Sequence, residues 1–203
     1  MPFRKTTLIY NGRELKVDWA QNDIIPRIEG RYNLVSIGHL SKVKNHKLLC
    51  GAVDRLVKYG APIELYMFGR FADNDIVDSI RALNNPHIHL LGEIPTPRIY
   101  LRNADAFCMS SVIEGMPISL IEALSCGLIP ICTAVGGIVD MIDDGKIGFL
   151  SYDMTTESYV KTIERFLELD AEKMAIMKRL CQQSAQQYSI EECAHRYEEL
   201  FSL

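Results

Sequence analysis

The amino-acid sequence predicts an α/β fold, a parallel sheet of about six strands flanked by helices. Three observations indicate this fold. Short runs such as residues 34–38 and 63–68 are mostly apolar, which is typical of strands buried on both faces. Stretches with helical spacing, such as residues 46–59, alternate with these runs. Glycines recur just after the predicted strands, at Gly38, Gly69, Gly92 and Gly136 with Gly137.

Each predicted element follows from its local pattern. In the first helix, Leu48, Leu49 and Val53 place apolar side chains on one face. Gly127, a residue type common at helix C-caps, ends another helix. The sequence predicts strands over 34–38, 63–68, 87–91, 106–109, 128–132 and 147–150, and helices over 46–59, 75–83, 97–103, 118–126 and from 156 to the end. Residues 1–30 form an irregular leading segment, and residues 31–203 form one domain with C-terminal helices.

Composition and charge exclude several classes of protein. The net charge of −4 argues against a general nucleic-acid binder, which usually carries a basic face. Six cysteines lack CxxC spacing and lie mostly in apolar runs, which predicts buried thiols in a reducing cytoplasm. No run approaches the ~18 apolar residues of a membrane span, so we expect a soluble chain whose membrane contact is only indirect.

The positions of the glycines favour a nucleotide-type ligand. Ligands of open α/β sheets bind at the carboxyl ends of the strands, where glycine lets the backbone approach closely. Tight turning alone is the alternative explanation for each glycine. The sequence contains no GxGxxG after the first strand and no GxxxxGK[ST], which argues against dinucleotide oxidoreductases and P-loop NTPases.

Two acidic residues, Glu114 and Glu122, lie in an apolar part of the chain around a predicted strand end. Between them, Pro117 suits the first helical position, and the free N–H groups near Ile118 and Ser119 can receive an anion such as phosphate. A carboxylate at Glu122 can accept hydrogen bonds from two adjacent sugar hydroxyls. The alternative is that Glu114 caps the helix and Glu122 faces solvent. Apolar neighbours of Glu122 weigh against that alternative.

This stretch resembles the E-x7-E motif of retaining GT-B glycosyltransferases, above all glycosyltransferase family 4. The family wording S-x-x-E-G-x-x-x-x-x-x-E-A-x-x-x-G-x-P is matched in register by Ser111, Glu114, Gly115, Glu122, Ala123, Gly127 and Pro130. The continuation V-G-G-x-x-E-x-x-x-x-G-x-x-G is similar to Val135, Gly136, Gly137, Asp140, Asp144, Gly145 and Gly148, with Asp140 in place of Glu. The resemblance implies a Rossmann-like fold, that of the C-terminal domain of GT-B enzymes.

The first strand end carries a second part of the resemblance. Residues 37–45 are similar to the family phrase V-G-R-L-x-x-x-K-G or K-N, and Lys44 matches the lysine that neutralises the donor diphosphate. A lysine at this junction would stabilise a departing diphosphate. His39 stands where the family usually has Arg, which binds phosphate with two donors.

The resemblance also implies roles for single residues. Glu114 and Lys44 would be catalytic, and Gly38 and His39 would contact the donor at the first strand end. Glu114 would contact donor-sugar hydroxyls and Glu122 the ribose, while Gly92 and Glu93 would lie near the base. The backbone of Gly115, Met116, Pro117, Ile118 and Ser119 would meet sugar and phosphate. The family needs no metal and no cofactor, and Asp73 of the D-x-D at residues 73–75 is predicted to be a helix cap.

The leading segment resembles the family's interdomain phrase v-I-x-N-G-x-D. Residues 8–12 carry it, with Arg13 and Glu14 where Asp is usual. We therefore expect residues 1–30 to be an interdomain-type segment and residues 31–203 the Rossmann-like donor-binding domain. The expected partners are a nucleotide sugar, a glycan or lipid-linked acceptor, and an N-terminal acceptor-binding domain or subunit that this chain lacks. The chain would then be a fragment of a longer enzyme or a subunit of a split one.

Three functions remain open at this point. The first is a cytoplasmic glycosyltransferase of polysaccharide biosynthesis, working at the inner face of the membrane, that transfers a hexose with retention and without metal. The second is a non-catalytic nucleotide-sugar-binding module that needs a partner domain for activity. The third is a sugar-nucleotide epimerase, which can share the fold and would form an epimer of its substrate.

Overall fold

A computed structural model describes residues 7–202 of the chain. The first six residues of the predicted leading segment and residue 203 lie outside the described residues. Within the described range, six parallel strands form one sheet in the order β3-β2-β1-β4-β5-β6. The strands are β1 (Tyr32–Ile37), β2 (Ile63–Phe68), β3 (Ile88–Gly92), β4 (Ala106–Met109), β5 (Ile129–Thr133) and β6 (Phe149–Ser151).

Helices connect the strands, as the alternating pattern predicts. They are α1 (His46–Lys58), α2 (Asn74–Arg81), α3 (Ile118–Ser125), α4 (Ile138–Met141), α5 (Thr156–Leu167), α6 (Ala171–Ala185) and α7 (Ile190–Phe201), with 3₁₀ helices at Pro97–Asn103 and Gln186–Tyr188. Helix α1 packs against α2 and α5, whereas α3 packs against α6. Every residue of β2, β4, β5 and β6 is buried, which explains their apolar runs.

The strand order reverses beside β1. This strand pairs with β2 on one side and with β4 on the other, so the crossovers lead in opposite directions from the centre of the sheet. Such a switch point leaves a crevice at the carboxyl ends of the two central strands. The loop that carries Lys44 follows β1, and the loop that carries Glu114 follows β4. The topology therefore brings the two predicted catalytic residues to the same crevice.

The C-terminal region is helical, as predicted, but the breaks between its helices were not predicted. It breaks twice, because Asp170 and Ser189 each start a new helix as its N-cap. The Asp170 carboxylate accepts from the Lys173 N–H at 2.8 Å, and the Ser189 hydroxyl accepts from the Glu192 N–H at 3.1 Å. The four-residue helix α4 after Gly137 was also not predicted.

Residues 7–30, the described part of the leading segment, are irregular, as expected, and are held against the 97–103 3₁₀ helix. The Ala20 N–H donates to the Ile99 carbonyl at 3.1 Å, and the Arg102 guanidinium donates to the Ala20 carbonyl at 2.9 Å. Ile25 is fully buried in the core. Trp19, the single tryptophan of the chain, lies with its ring centroid 5.9 Å from the Arg102 guanidinium carbon.

The cysteines agree with the prediction of mostly buried thiols. All six cysteines are free thiols, and four of them are buried: Cys50, Cys108, Cys132 and Cys181. Burial raises the pKa of the Cys50 thiol to about 12, so this thiol stays protonated. Among residues 7–202, no helix combines the length and the apolar character that crossing a bilayer requires.

Candidate nucleotide-sugar site

The loop after β1 is held in place by hydrogen bonds from Ser110, the residue that follows β4. The hydroxyl of Ser110, a buried residue, lies 3.0 Å from the carbonyl oxygens of both Lys44 and Asn45. Asn45 adopts a left-handed conformation with φ of 48° before α1 begins. Because the backbone is held on both sides of the turn, the Lys44 side chain leaves it in a defined direction. That side chain passes over Gly38, where a Cβ would lie 3.5 Å from Lys44 Cε.

Lys44 and Glu114 are in direct contact. Lys44 Nζ lies 2.6 Å from Oε1 of Glu114, and the Ser111 hydroxyl donates to the same oxygen at 2.6 Å. In the described part of the chain, no donor bonds to the other oxygen, Oε2. Thr133 at the end of β5 donates from its buried hydroxyl to the Ser111 carbonyl at 2.7 Å, which fixes Ser111 in turn. Glu114 is therefore held by one oxygen while the other stays available.

Two glycines after β5 pack against the backbone of the Glu114 loop rather than facing open space for a ligand. Gly136 has a φ of 50°, and a Cβ there would overlap the carbonyl oxygen of Glu114. The Gly137 N–H donates to the Gly115 carbonyl at 3.0 Å, and a Cβ at position 137 would overlap that carbonyl. At these positions glycine allows close approach of one backbone to another. Gly69 acts in the same way, since a Cβ there would overlap the Gly38 carbonyl.

The N-terminus of α3 is open, as predicted, with one change of position. Pro117 is the N-cap residue, with φ of −74° and ψ of 117°, rather than the first helical residue for which it was predicted to be suited; that residue is Ile118. The backbone N–H groups of Met116, Ile118 and Ser119 form no hydrogen bond with any residue in the 7–202 range. No side chain caps the helix, so Glu114 is not the cap that the alternative interpretation required.

Glu122 is buried, which excludes the other half of that alternative. Only 8% of its surface is exposed, and its Oε1 accepts from Arg13 Nε at 2.8 Å and also from Arg13 Nη2. Sequence reasoning missed this partner. Arg13 was visible only as a departure from the interdomain phrase, and a separation of 109 residues gives no local signal of pairing.

A small cavity joins three other predicted residues. Gly38, His39 and Glu93 line a cavity of about 160 Å³ at the ends of β1, β2 and β3, together with Arg70, Ile94 and Pro97. Gly92 ends β3, and its carbonyl accepts from the Gly69 N–H at 2.8 Å. Arg70 was not predicted, although it follows β2 and Gly69 directly, just as His39 follows β1 and Gly38. A larger cleft of about 400 Å³ at the outer edge of β3 contains none of the predicted residues.

The predicted residues thus fall into three sets, and the Glu122 carboxylate bonds to none of them. Lys44 and Glu114 are paired, Gly38, His39 and Glu93 share the cavity, and Gly115 to Ser119 connect the Glu114 loop to α3. The Glu122 carboxylate bonds to Arg13 alone among the described residues. Asp73 of the D-x-D caps α2 by accepting from the Ile76 N–H at 3.3 Å, as predicted.

A buried histidine borders the site without adding charge to it. His46 begins α1, two residues after Lys44, and is 3% exposed. Burial, and then the charge of Lys44, lower the pKa of His46 to about 4. The imidazole is therefore neutral at pH 7, and the cation in contact with Glu114 is Lys44.

Comparison with known proteins assigns the class. The model of the family described as glycosyl transferases group 1 matches residues 18–183, and the chain belongs to this family. Its sheet and helices are those of the C-terminal domain of GT-B glycosyltransferases, which confirms the predicted Rossmann-like fold.

Two curated relatives illustrate the family. The chain is 30% identical, over 82% of its own length and 46% of the relative's, to N-acetylgalactosamine-N,N'-diacetylbacillosaminyl-diphospho-undecaprenol 4-alpha-N-acetylgalactosaminyltransferase of Campylobacter jejuni. It is 25% identical, over 81% of its length and 34% of the relative's, to the glycogen synthase of Thermodesulfovibrio yellowstonii. The chain thus spans less than half the length of these relatives.

Solved structures share the fold at lower identity. Anabaena Alr3699/HepE in complex with UDP-glucose superposes with a TM-score of 0.81 at 19% identity, over 97% of this chain and 57% of that one. Sucrose-phosphate synthase from Thermosynechococcus elongatus superposes with a TM-score of 0.82 at 19% identity, over 98% of this chain and 52% of that one.

Proposed function

We propose that the chain is the donor-binding half of a family 4-like glycosyltransferase that transfers a hexose with retention and without metal. The acceptor would be a glycan or a lipid-linked sugar. In the reaction, the bond between the sugar C1 and the diphosphate oxygen breaks, and C1 forms a bond to an acceptor hydroxyl oxygen. The products are a nucleoside diphosphate, the glycosylated acceptor and a proton. The names of the Campylobacter relative and of the UDP-glucose complex support this choice of substrate class.

The contact between Lys44 and Glu114 carries the proposal. It places a cation and a carboxylate with a free oxygen beside the open N–H groups at the start of α3. Lys44 and these N–H groups would stabilise the diphosphate, in which charge develops as the bond to the sugar breaks. Oε2 of Glu114 would accept from sugar hydroxyls, and Glu122 from the ribose. The cavity at Gly38, His39 and Glu93 would take the base side of the nucleotide, next to Gly92.

A second function has its own supporting observation. Since the chain spans 46% of the Campylobacter relative, the other wall of the catalytic cleft would come from a partner domain or subunit. A half site binds its ligand but does not exclude water or position an acceptor well. The chain alone would then be a nucleotide-sugar-binding module, active only with its partner, in a cytoplasmic pathway of polysaccharide synthesis with indirect membrane contact.

The site assignment is tested by calorimetry with UDP, ADP, GDP and their glucose conjugates. Glu122→Ala is expected to weaken binding of the free nucleoside diphosphate by about tenfold. Glu114→Ala should spare that binding and remove the part of the affinity that depends on the sugar. Glu164→Ala, an exposed position on α5, is the matched control. Unchanged affinities in both site variants with an intact fold would refute the assignment.

A transfer assay separates the candidate functions. The purified chain is incubated with the nucleotide sugar that binds and with a panel of oligosaccharide and lipid-linked acceptors, and product anomers are analysed by NMR. Binding without transfer favours the module that needs a partner, whereas efficient transfer by the chain alone rejects it. Formation of an epimeric nucleotide sugar would support the epimerase instead.

A further inference from the structure

Arg13 and Glu122 form an unusual contact between the leading segment and α3. Arg13 Nε donates to Oε1 of Glu122 at 2.8 Å, and Nη2 donates to the same oxygen. A guanidinium usually spans both oxygens of a carboxylate with its two parallel N–H bonds. Here both bonds converge on Oε1, and within residues 7–202 no donor bonds to Oε2. The contact therefore fixes the carboxylate and leaves one oxygen accessible.

The backbone of Arg13 is itself held in place. Its N–H donates to the Tyr188 carbonyl at 2.9 Å, and its carbonyl accepts from the Ile190 N–H at 3.1 Å. The preceding residue, Gly12, packs so closely on α7 that a Cβ there would lie 2.6 Å from Cys193 Cβ. Both ends of the ion pair thus start from fixed backbone, one in the leading segment and the other within α3.

This geometry matters because of what a free glutamate would do. An unrestrained glutamate side chain samples several rotamers and loses that freedom when it binds a ligand. A site whose groups are already oriented avoids this loss and binds more tightly. Glu122 is also buried, so a cation beside it compensates the burial of its charge. Arg13 provides both the orientation and the charge.

We propose that Arg13 is a positioning residue for the nucleoside, which holds Oε1 of Glu122 and presents Oε2 to one hydroxyl of the ribose. The inference rests on the proposed function, in which Glu122 binds the ribose, and adds a specificity determinant outside the family motif. With a single oxygen available, the site should distinguish a ribonucleotide from the analogue that lacks the hydroxyl facing Oε2. The leading segment thereby contributes to the selection of the nucleotide.

Calorimetry on Arg13→Met tests this role. UDP, ADP and GDP are titrated first, and the 2′-deoxy and 3′-deoxy forms of the tightest ligand are then compared with it. The wild-type chain should bind the ribonucleotide about tenfold more tightly than one of the deoxy forms. Arg13→Met should reduce this ratio to near one, mainly by weakening the ribonucleotide. Arg13→Lys, which keeps a cation and one donor, should restore part of the ratio and serves as the second variant if Arg13→Met fails to fold.

A matched control separates positioning from general support of the segment. Arg102 also binds the leading segment, through the Ala20 carbonyl, but does not contact Glu122. Arg102→Met should therefore leave the ribose-to-deoxyribose ratio unchanged, even if it lowers stability.

The other outcomes overturn the inference in distinct ways. Equal weakening of both ligands by Arg13→Met means that Arg13 only supports the fold. Tighter ribonucleotide binding means that Arg13 competes with the ribose for Glu122. If the wild-type chain binds a nucleoside diphosphate without preferring the ribonucleotide, the inference fails together with the assignment of the ribose to Glu122, whereas donor binding by the chain stands. If it binds none of the three diphosphates, the proposed function fails and the inference with it.

Discussion

Lys44 and Glu114 are joined by a contact of 2.6 Å across the point where the strand order of the sheet reverses. One residue follows β1 and the other follows β4, so the pair lies at the crevice between the two central strands. The Ser111 hydroxyl donates to Glu114, and the buried Thr133 hydroxyl donates in turn to the Ser111 carbonyl. The candidate site is thus an ion pair connected to the buried sheet by a chain of hydrogen bonds.

The first prediction concerns the ion pair itself. Lys44→Met leaves the nearly buried carboxylate of Glu114 without its cation, which should lower the free energy of unfolding by about 1–2 kcal/mol. Lys42→Met, at an exposed position in the same loop, is the control and should change stability little. Urea unfolding at pH 7 measures both variants. Equal effects of the two substitutions would show that the Lys44 contact contributes nothing specific.

The second prediction concerns the glycine that packs on the Glu114 carbonyl. Gly136→Ala adds a Cβ where the Glu114 carbonyl lies and at a positive φ, so it should cost more than about 2 kcal/mol of stability. Gly115→Ala is the matched control, because a Cβ there meets no atom within 4 Å among the described residues. Gly115→Ala should keep the wild-type thermal midpoint while weakening nucleotide-sugar binding. A normal midpoint for Gly136→Ala would contradict the close packing.

The third prediction separates support of the site from support of the fold. Thr133→Val removes the hydrogen bond to the Ser111 carbonyl at nearly constant volume and should cost about 1–2 kcal/mol. Thr162→Val removes a comparable bond, to the Ser158 carbonyl within α5, far along the chain from Glu114. Both variants should be less stable in urea, but only Thr133→Val should also weaken sugar-dependent binding in calorimetry. Equal binding by the two variants would refute a role for Thr133 at the site.

The fourth prediction concerns acid stability. Because burial and Lys44 lower the pKa of His46 from 6.5 to about 4, the folded state binds a proton here less readily than the unfolded state. Above pH 6.5 this histidine does not change the free energy of unfolding with pH. As the pH falls from 6.5 towards 4, the free energy of unfolding should drop by about 3 kcal/mol in total. His46→Asn should flatten this dependence, measured as unfolding free energy at several pH values. Parallel pH profiles for wild type and variant would show that His46 titrates normally.

Most of the fold could be predicted from the sequence because the pattern is local. Apolar runs such as residues 106–109 become fully buried strands, and the residues between them have the spacing of a helix. The C-terminal breaks at Asp170 and Ser189 were missed, although both residues are of the type that caps helices. A cap inside a helical pattern is hard to distinguish from a polar surface position.

The site could be predicted only where residues follow strands whose carboxyl ends lie side by side at one edge of the sheet. The topology of a parallel sheet brings Lys44 and Glu114 together, so two strand-end residues are sufficient to predict their proximity. The contact of Arg13 with Glu122 depends instead on the path of the leading segment across α7. Gly136 packs on the Glu114 carbonyl because two loops lie close together. A hydrophobic pattern does not reveal how close two loops come.

Trp19 gives the chain an optical reporter of one structural event. It is the single tryptophan, it is 38% exposed, and it lies in the leading segment beside Arg102 rather than in the core. Its emission therefore follows the docking of that segment, whereas far-UV circular dichroism follows the sheet and helices. Coincident denaturation curves from the two signals would mean that segment and sheet unfold as one cooperative unit. An earlier shift in tryptophan emission would identify the segment as a separate, less stable foldon, released before the domain itself.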